Sequence, residues 1–197
     1  MSDFEQSQAE RVLVRGNPSP ESFHPATTIV VGLGNPILGD DGIGWHVADG
    51  VKAQLLQYPL PGQDVKVECL SLGGLSLMEH LVGYDRAILV DAIDTGVNPQ
   101  GSVHSFPLEA LPDQSGGHLT AAHDTTLQTA LSLGRSMGAH LPDEIIIVGI
   151  ESPNVYDFSE DLSPAVAAAL PIAQNTVLEL LFVNGQNYSY EEYSSEE

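Results

Sequence analysis

The chain predicts an α/β fold, a three-layer αβα sandwich around a mostly parallel central sheet. Short β-branched runs alternate with longer segments of helical period, and three of the runs are nearly continuous in Val, Ile and Leu. Such continuity suits strands buried on both faces of a parallel sheet. The same alternation places ligands outside the carboxyl ends of the strands, where the connecting loops gather.

The first strand is expected over 27–33, ending in a glycine-rich turn, and the first helix over 42–56. A second strand over 64–70 leads to a helix over 75–82, and a third strand over 86–93 follows. An extra strand is expected over 102–106, a helix over 125–137 and a strand over 144–150. The closing helix spans 164–183, with Ser163 as its N-cap, Pro164 at the first helical position and Pro171 marking a kink or break. Residues 1–26 are polar and carry Asn17-Pro18-Ser19-Pro20 and Pro25, so they read as an extended or disordered arm. Residues 184–197 collect four glutamates without apolar periodicity and read as a solvated acidic tail, in which Tyr188, Tyr190 and Tyr193 point to no docking role. At 197 residues, one folded domain over 27–183 accounts for the rest.

Six Lys and Arg stand against 27 Asp and Glu, a formal charge of 6 − 27 = −21. That balance argues against nucleic acid and anionic membrane surfaces and favours a neutral or basic partner. With 42% hydrophobic residues the chain nevertheless holds enough to build a core. Uninterrupted apolar stretches such as Ile145–Ile150 and Ala165–Leu170 fall far short of the ~20 residues of a membrane span. Asp3, Glu5 and Glu10 near the start leave no signal-like apolar region. One cysteine, Cys69, forms no internal disulfide, so a reducing cytoplasmic setting is expected.

The strand ends at 33, 93 and 150 and the loop before 125 should face one crevice. Their ionisable residues are Asp40, Asp41, Asp91, Asp94, His118, His123, Asp124 and Glu151. The first turn reads Gly32-Leu33-Gly34-Asn35-Pro36-Ile37-Leu38-Gly39-Asp40-Asp41-Gly42-Ile43-Gly44. It lacks the third glycine of a dinucleotide site, the second strand lacks a ribose-binding acid, and two carboxylates sit where a phosphate would dock. A cation is favoured over an anion. Either aspartate suits a helix cap, but one suffices, leaving the other for a ligand. Asp91 ends a buried run, where a carboxylate is costly unless hydrogen-bonded, paired or bound to metal; Asp94 reads as a turn residue. Two carboxylates and one loop imidazole make an O,O,N set that fits an open first-row transition-metal site, while no closely spaced Cys or His pair suggests structural zinc. No Gly-x-Ser-x-Gly elbow is present, and Cys69 reads as a small strand hydrophobe.

The glycine-rich turn through Gly44, the segment Leu89-Val90-Asp91-Ala92-Ile93-Asp94 and His123 before a helix together resemble the nickel-iron hydrogenase maturation endopeptidases, over about residues 27–183. The resemblance implies an α/β protease domain that removes a C-terminal peptide from the hydrogenase large-subunit precursor once nickel is inserted. It implies that Asp41, Asp91 and His123 are the catalytic, nickel-contacting residues and that nickel arrives with the precursor. The cut would follow the partner's C-terminal Cys-x-x-Cys-x-x-His or Arg motif. A monomer acting on this protein partner is expected, without nucleic acid or membrane. Leu72 and Leu75 depart from the acid and threonine that relatives often carry in a region implicated in choosing the hydrogenase, and His118 competes with His123. A non-catalytic precursor-binding checkpoint is an alternative. Peptidyl-tRNA hydrolases share Gly-Leu-Gly-Asn-Pro, but their Thr-Arg-His-Asn segment is absent and the charge is wrong for tRNA.

Overall fold

A computed structural model describes residues 26–110, 126–153 and 158–185. All but the last residue of the expected N-terminal arm, and most of the acidic tail, lie outside these residues. The element order is β1 (Thr27–Leu33), a 3-10 turn (Gly39–Gly42), α1 (Ile43–Gln57), β2 (Asp64–Leu70), α2 (Gly74–His80), β3 (Arg86–Ile93), β4 (Val103–Pro107), a second 3-10 turn (Leu108–Ala110), α3 (Leu127–Ser136), β5 (Glu144–Glu151) and α4 (Pro164–Gly185).

The sheet runs β2-β1-β3-β5-β4. Its first four strands are parallel, and β4 joins β5 antiparallel at the edge. Just before β4 the loop from β3 is tied to the end of β5, Gly101 donating to the Glu151 carbonyl at 2.8 Å and Glu151 to that of Ser102 at 2.9 Å. Every residue of β3 is buried, as is all but the first of β1. On one face Val30, Ile88, Val90 and Val148 pack against Ile43, Val47 and Val51 of α1 and Val166, Ala173 and Val177 of α4. On the other, Val31, Leu89 and Ile147 meet Leu77 of α2 and Leu127 and Leu131 of α3. These are the three predicted layers.

The glycines of the first turn have a packing role. A Cβ on Gly32 would strike the Gly44 backbone and Ala48, and one on Gly44 would strike the carbonyls of Leu33 and Val90, so the paired glycines let α1 lie directly on β1 and β3. Gly34 sits at φ 117°, a conformation open mainly to glycine, with the Asp41 backbone where its Cβ would be.

Pro171 does not break the last helix; α4 runs through it from Pro164 to Gly185. Val166, Ala169, Ala173, Val177 and Leu181 form a stripe on both sides of the proline, each buried in the core, and that continuous face holds the two halves together where one backbone bond is lost. By length and composition Pro164–Phe182, with mean hydropathy 1.5, is also able to cross a membrane. Polar residues divide its apolar content, so counting uninterrupted runs missed it. In this fold its buried stripe belongs to the core beneath β5 and β4.

Candidate functional site

The sheet reverses its direction of growth between β1 and β3, because β2 lies on one side of β1 and β3 on the other. A crevice forms at such a point, beyond the carboxyl ends of the two strands. Asp41 and Asp91 occupy its two sides: Asp41 on the 3-10 turn that follows β1, Asp91 near the end of β3.

Asp91 lies on the α2/α3 face, in step with Ala87 and Leu89, and is 2% exposed. Its carboxylate accepts a hydrogen bond from the Ala92 backbone amide, while Oδ1 has no hydrogen-bond partner among the described residues. Burial, followed by the charge of Asp41, pushes its pKa well above the ordinary carboxylate range; the Ala92 bond acts weakly in the opposite direction. Asp41, also buried, accepts from the Asn35 backbone amide through Oδ2 at 2.7 Å. This anchors its side chain across the turn. A buried carboxylate whose proton affinity is raised by burial and by the neighbouring Asp41 charge, with Oδ1 unpartnered among the described residues, makes with Asp41 a cation-seeking pair.

Neither aspartate caps a local helix. The turn and α1 both begin without a side-chain capping bond. Asp40 instead reaches away from its own helix, where its Oδ1 accepts from the Ser163 amide at 2.6 Å. Its Oδ2 accepts from Ser163 Oγ and Ser152 Oγ, each at 2.8 Å, and from Gln100 Nε2 at 3.0 Å. Ser163 does serve as the backbone N-cap of α4, since its carbonyl accepts from the Ala167 amide at 2.8 Å, but its hydroxyl is turned to Asp40. Sequence reasoning missed this Asp40–Ser152–Ser163–Gln100 group. The one available signal, a serine immediately before Pro164, pointed to a cap and gave no hint of a partner 123 residues away.

Other candidates hold loops. Glu151 is buried but turns its carboxylate to Thr95, accepting from both the backbone amide at 3.1 Å and the hydroxyl. Asp94 accepts from the Gly96 amide at 3.2 Å, the turn role expected of it. Cys69 is half-buried in β2, its thiol directed at the Trp45 carbonyl and Asp49. Burial first, then the Asp49 charge, pushes its pKa up to about 11, which leaves it a poor nucleophile. His118, His123 and Asp124 lie outside the described residues. Among the described residues no group of three or more His, Cys, Asp and Glu side chains comes together to hold a metal; the expected set has its third donor in His123.

Residues 58–180 match the family model for hydrogenase maturation proteases (HycI). The hydrogenase expression/formation protein HupD of Rhizobium leguminosarum bv. viciae is 30% identical over 165 residues, 83% of this chain and 79% of that protein. The corresponding HoxM of Azotobacter vinelandii is 27% identical over 80% of this chain and 73% of its own. Among solved structures, the hydrogenase maturating endopeptidase HybD from E. coli superposes with a TM-score of 0.62 at 25% identity, covering 81% of this chain and 94% of HybD.

Proposed function

The chain belongs to the hydrogenase maturation protease family, and on that premise we propose that it is the endopeptidase that removes the C-terminal extension from the nickel-loaded precursor of a nickel-iron hydrogenase large subunit. The observation that carries this reading is the Asp41–Asp91 pair, with Asp91 buried, Oδ1 unpartnered among the described residues and its proton affinity raised by burial and then by the Asp41 charge. A divalent cation entering the crevice would neutralise both acids at once, which makes the pair a probe for metal.

In this reading nickel is cargo of the precursor, and the protein recognises it with Asp41, Asp91 and the imidazole of His123. Carboxylates and imidazole suit a first-row transition metal. The ion supplies Lewis acidity near the scissile carbonyl. The chain's own contribution is placement and proton handling. Asp91 is held on a fully buried strand, Asp41 on a turn tied to Asn35, and either carboxylate can take the proton released by an attacking water. Before nickel insertion the precursor brings no cation for the two acids to hold, so docking of the empty precursor is not rewarded. The reading describes a cytoplasmic monomer with a protein partner. The charge of −21 disfavours a nucleic-acid partner.

The test uses purified protein and precursor prepared with and without nickel, with intact mass as the readout. Loss of a C-terminal peptide from the nickel-loaded form alone is expected. Cleavage of both forms would remove the nickel gate, and binding without cleavage of either would leave the protein a checkpoint.

A further inference from the structure

We propose that Asp40 is a positioning residue, which pins the Gly39–Gly42 turn so that its neighbour Asp41 stays opposed to Asp91; the catalytic consequence rests on the function proposed above. Asp40 is 2% exposed, and its hydrogen-bond partners among the described residues are neutral donors on elements distant in sequence. Ser152 follows β5, Ser163 begins α4, and Gln100 lies between β3 and β4. Gln100 Nε2 also donates to Ser163 Oγ at 2.9 Å, cross-linking the donors. A carboxylate, which only accepts, fits this set; an amide of the same shape would bring two N–H donors into it. The position beside the first turn of α4 adds the favourable field of a helix N-terminus.

The turn needs such an anchor. The turn carries Asp41 to the switch point beside the end of β3, and it begins without a side-chain capping bond of its own. Asp40 holds Asp41 from the adjacent position. The segment around Ser159 adds two backbone fastenings, with Gly39 donating to the Ser159 carbonyl at 2.6 Å and Ser159 to that of Ile37 at 3.2 Å. Misplacement of a reacting group by about 1 Å costs on the order of a hundredfold in rate, so a small swing of this turn matters to the chemistry far more than to the fold.

The test compares the double variant Ser152→Ala/Ser163→Ala with Ser163→Thr, which keeps the hydroxyl, and with Thr126→Ala, which removes the α3 cap far from the site. On nickel-loaded precursor the double variant is expected to lose at least about tenfold in kcat with KM within about twofold. Ser163→Thr should restore kcat, and Thr126→Ala should keep it despite a lower melting temperature. In the isolated protein, amide hydrogen exchange at Gly39 and Asp41 should accelerate at least about tenfold in the double variant and not in Thr126→Ala. A double variant with wild-type kcat and unchanged exchange would overturn the proposal. If wild-type protein leaves the precursor uncut, the proposed function fails, and the exchange comparison still decides whether Asp40 pins the turn.

Discussion

Replacing Asp91 by asparagine should make the protein more stable and inactive. The side chain is fully buried, its Oδ1 is unpartnered among the described residues, and the Asp41 charge faces it. An unsatisfied buried polar group costs about 1–3 kcal/mol, more when charged, and asparagine keeps the shape and the acceptor for the Ala92 amide while removing the charge. For a domain of this size each kcal/mol moves the melting temperature by about 2–4 °C. The variant should therefore melt about 2–12 °C above wild type at neutral pH. The sign of the pH dependence follows from the raised pKa. A carboxyl with a higher pKa in the fold stabilises it when protonated; that contribution is complete below the ordinary carboxylate range and is lost as pH climbs through the raised folded value. Asp85 behaves oppositely. The Thr27 amide bond holds its pKa below the usual range, so its contribution exists above that range and is lost on acidification. Subtracting the melting curve of the Asp91→Asn variant from that of wild type cancels Asp85 and isolates Asp91. Thermal melts by circular dichroism across the acidic to neutral range, with a chelator present, should show the advantage of Asp91→Asn shrinking as the solution is acidified. An equal or lower melting temperature at neutral pH would refute the reasoning, because the site would then hold no electrostatic strain to relieve.

Asp41→Ala, Asp91→Ala and His123→Ala should each abolish processing in a precursor mass assay while circular dichroism remains native, whereas His118→Ala should keep most activity; complete loss in His118→Ala would move the imidazole role to that residue. Cys69, with its pKa at about 11, should react with a thiol reagent slowly in the native protein at mildly alkaline pH and rapidly once denatured; equal rates would contradict its shielding by β2 and α1. Leu72, 38% exposed on the loop between β2 and α2, should influence partner choice. Leu72→Asp is expected to raise KM for the cognate precursor with kcat unchanged, and steady-state kinetics showing a kcat loss alone would exclude a docking role.

The strands were readable because β1, β3 and β5 are buried on both faces, and a run that meets protein on each side must be apolar throughout. Their boundaries agree with the expected ones to within a residue. That Asp41 and Asp91 would lie at the same end of the sheet was readable for a related reason, since a parallel sheet brings its loops to one end whatever those loops contain. The glycine pattern was visible but its purpose was not. Gly32 and Gly44 serve contact between α1 and the sheet, a relation between residues twelve apart that only the packed fold displays.

The sequence by itself determined the α/β class, the three-layer arrangement and the acids at the strand ends, because periodicity, burial and β-branching act over a few neighbouring residues. Tertiary structure alone decided that β4 would run antiparallel at the edge, that α4 would continue through Pro171, and that Asp40 would leave its own helix for Ser152 and Ser163. Each of these depends on groups separated by tens of residues, whose energy exists only after the chain has brought them together. The state of Asp91 is the clearest case. Its residue type and strand position are local facts, but the lack of an Oδ1 partner among the described residues and its opposition to Asp41 arise from the geometry of the sheet's switch point.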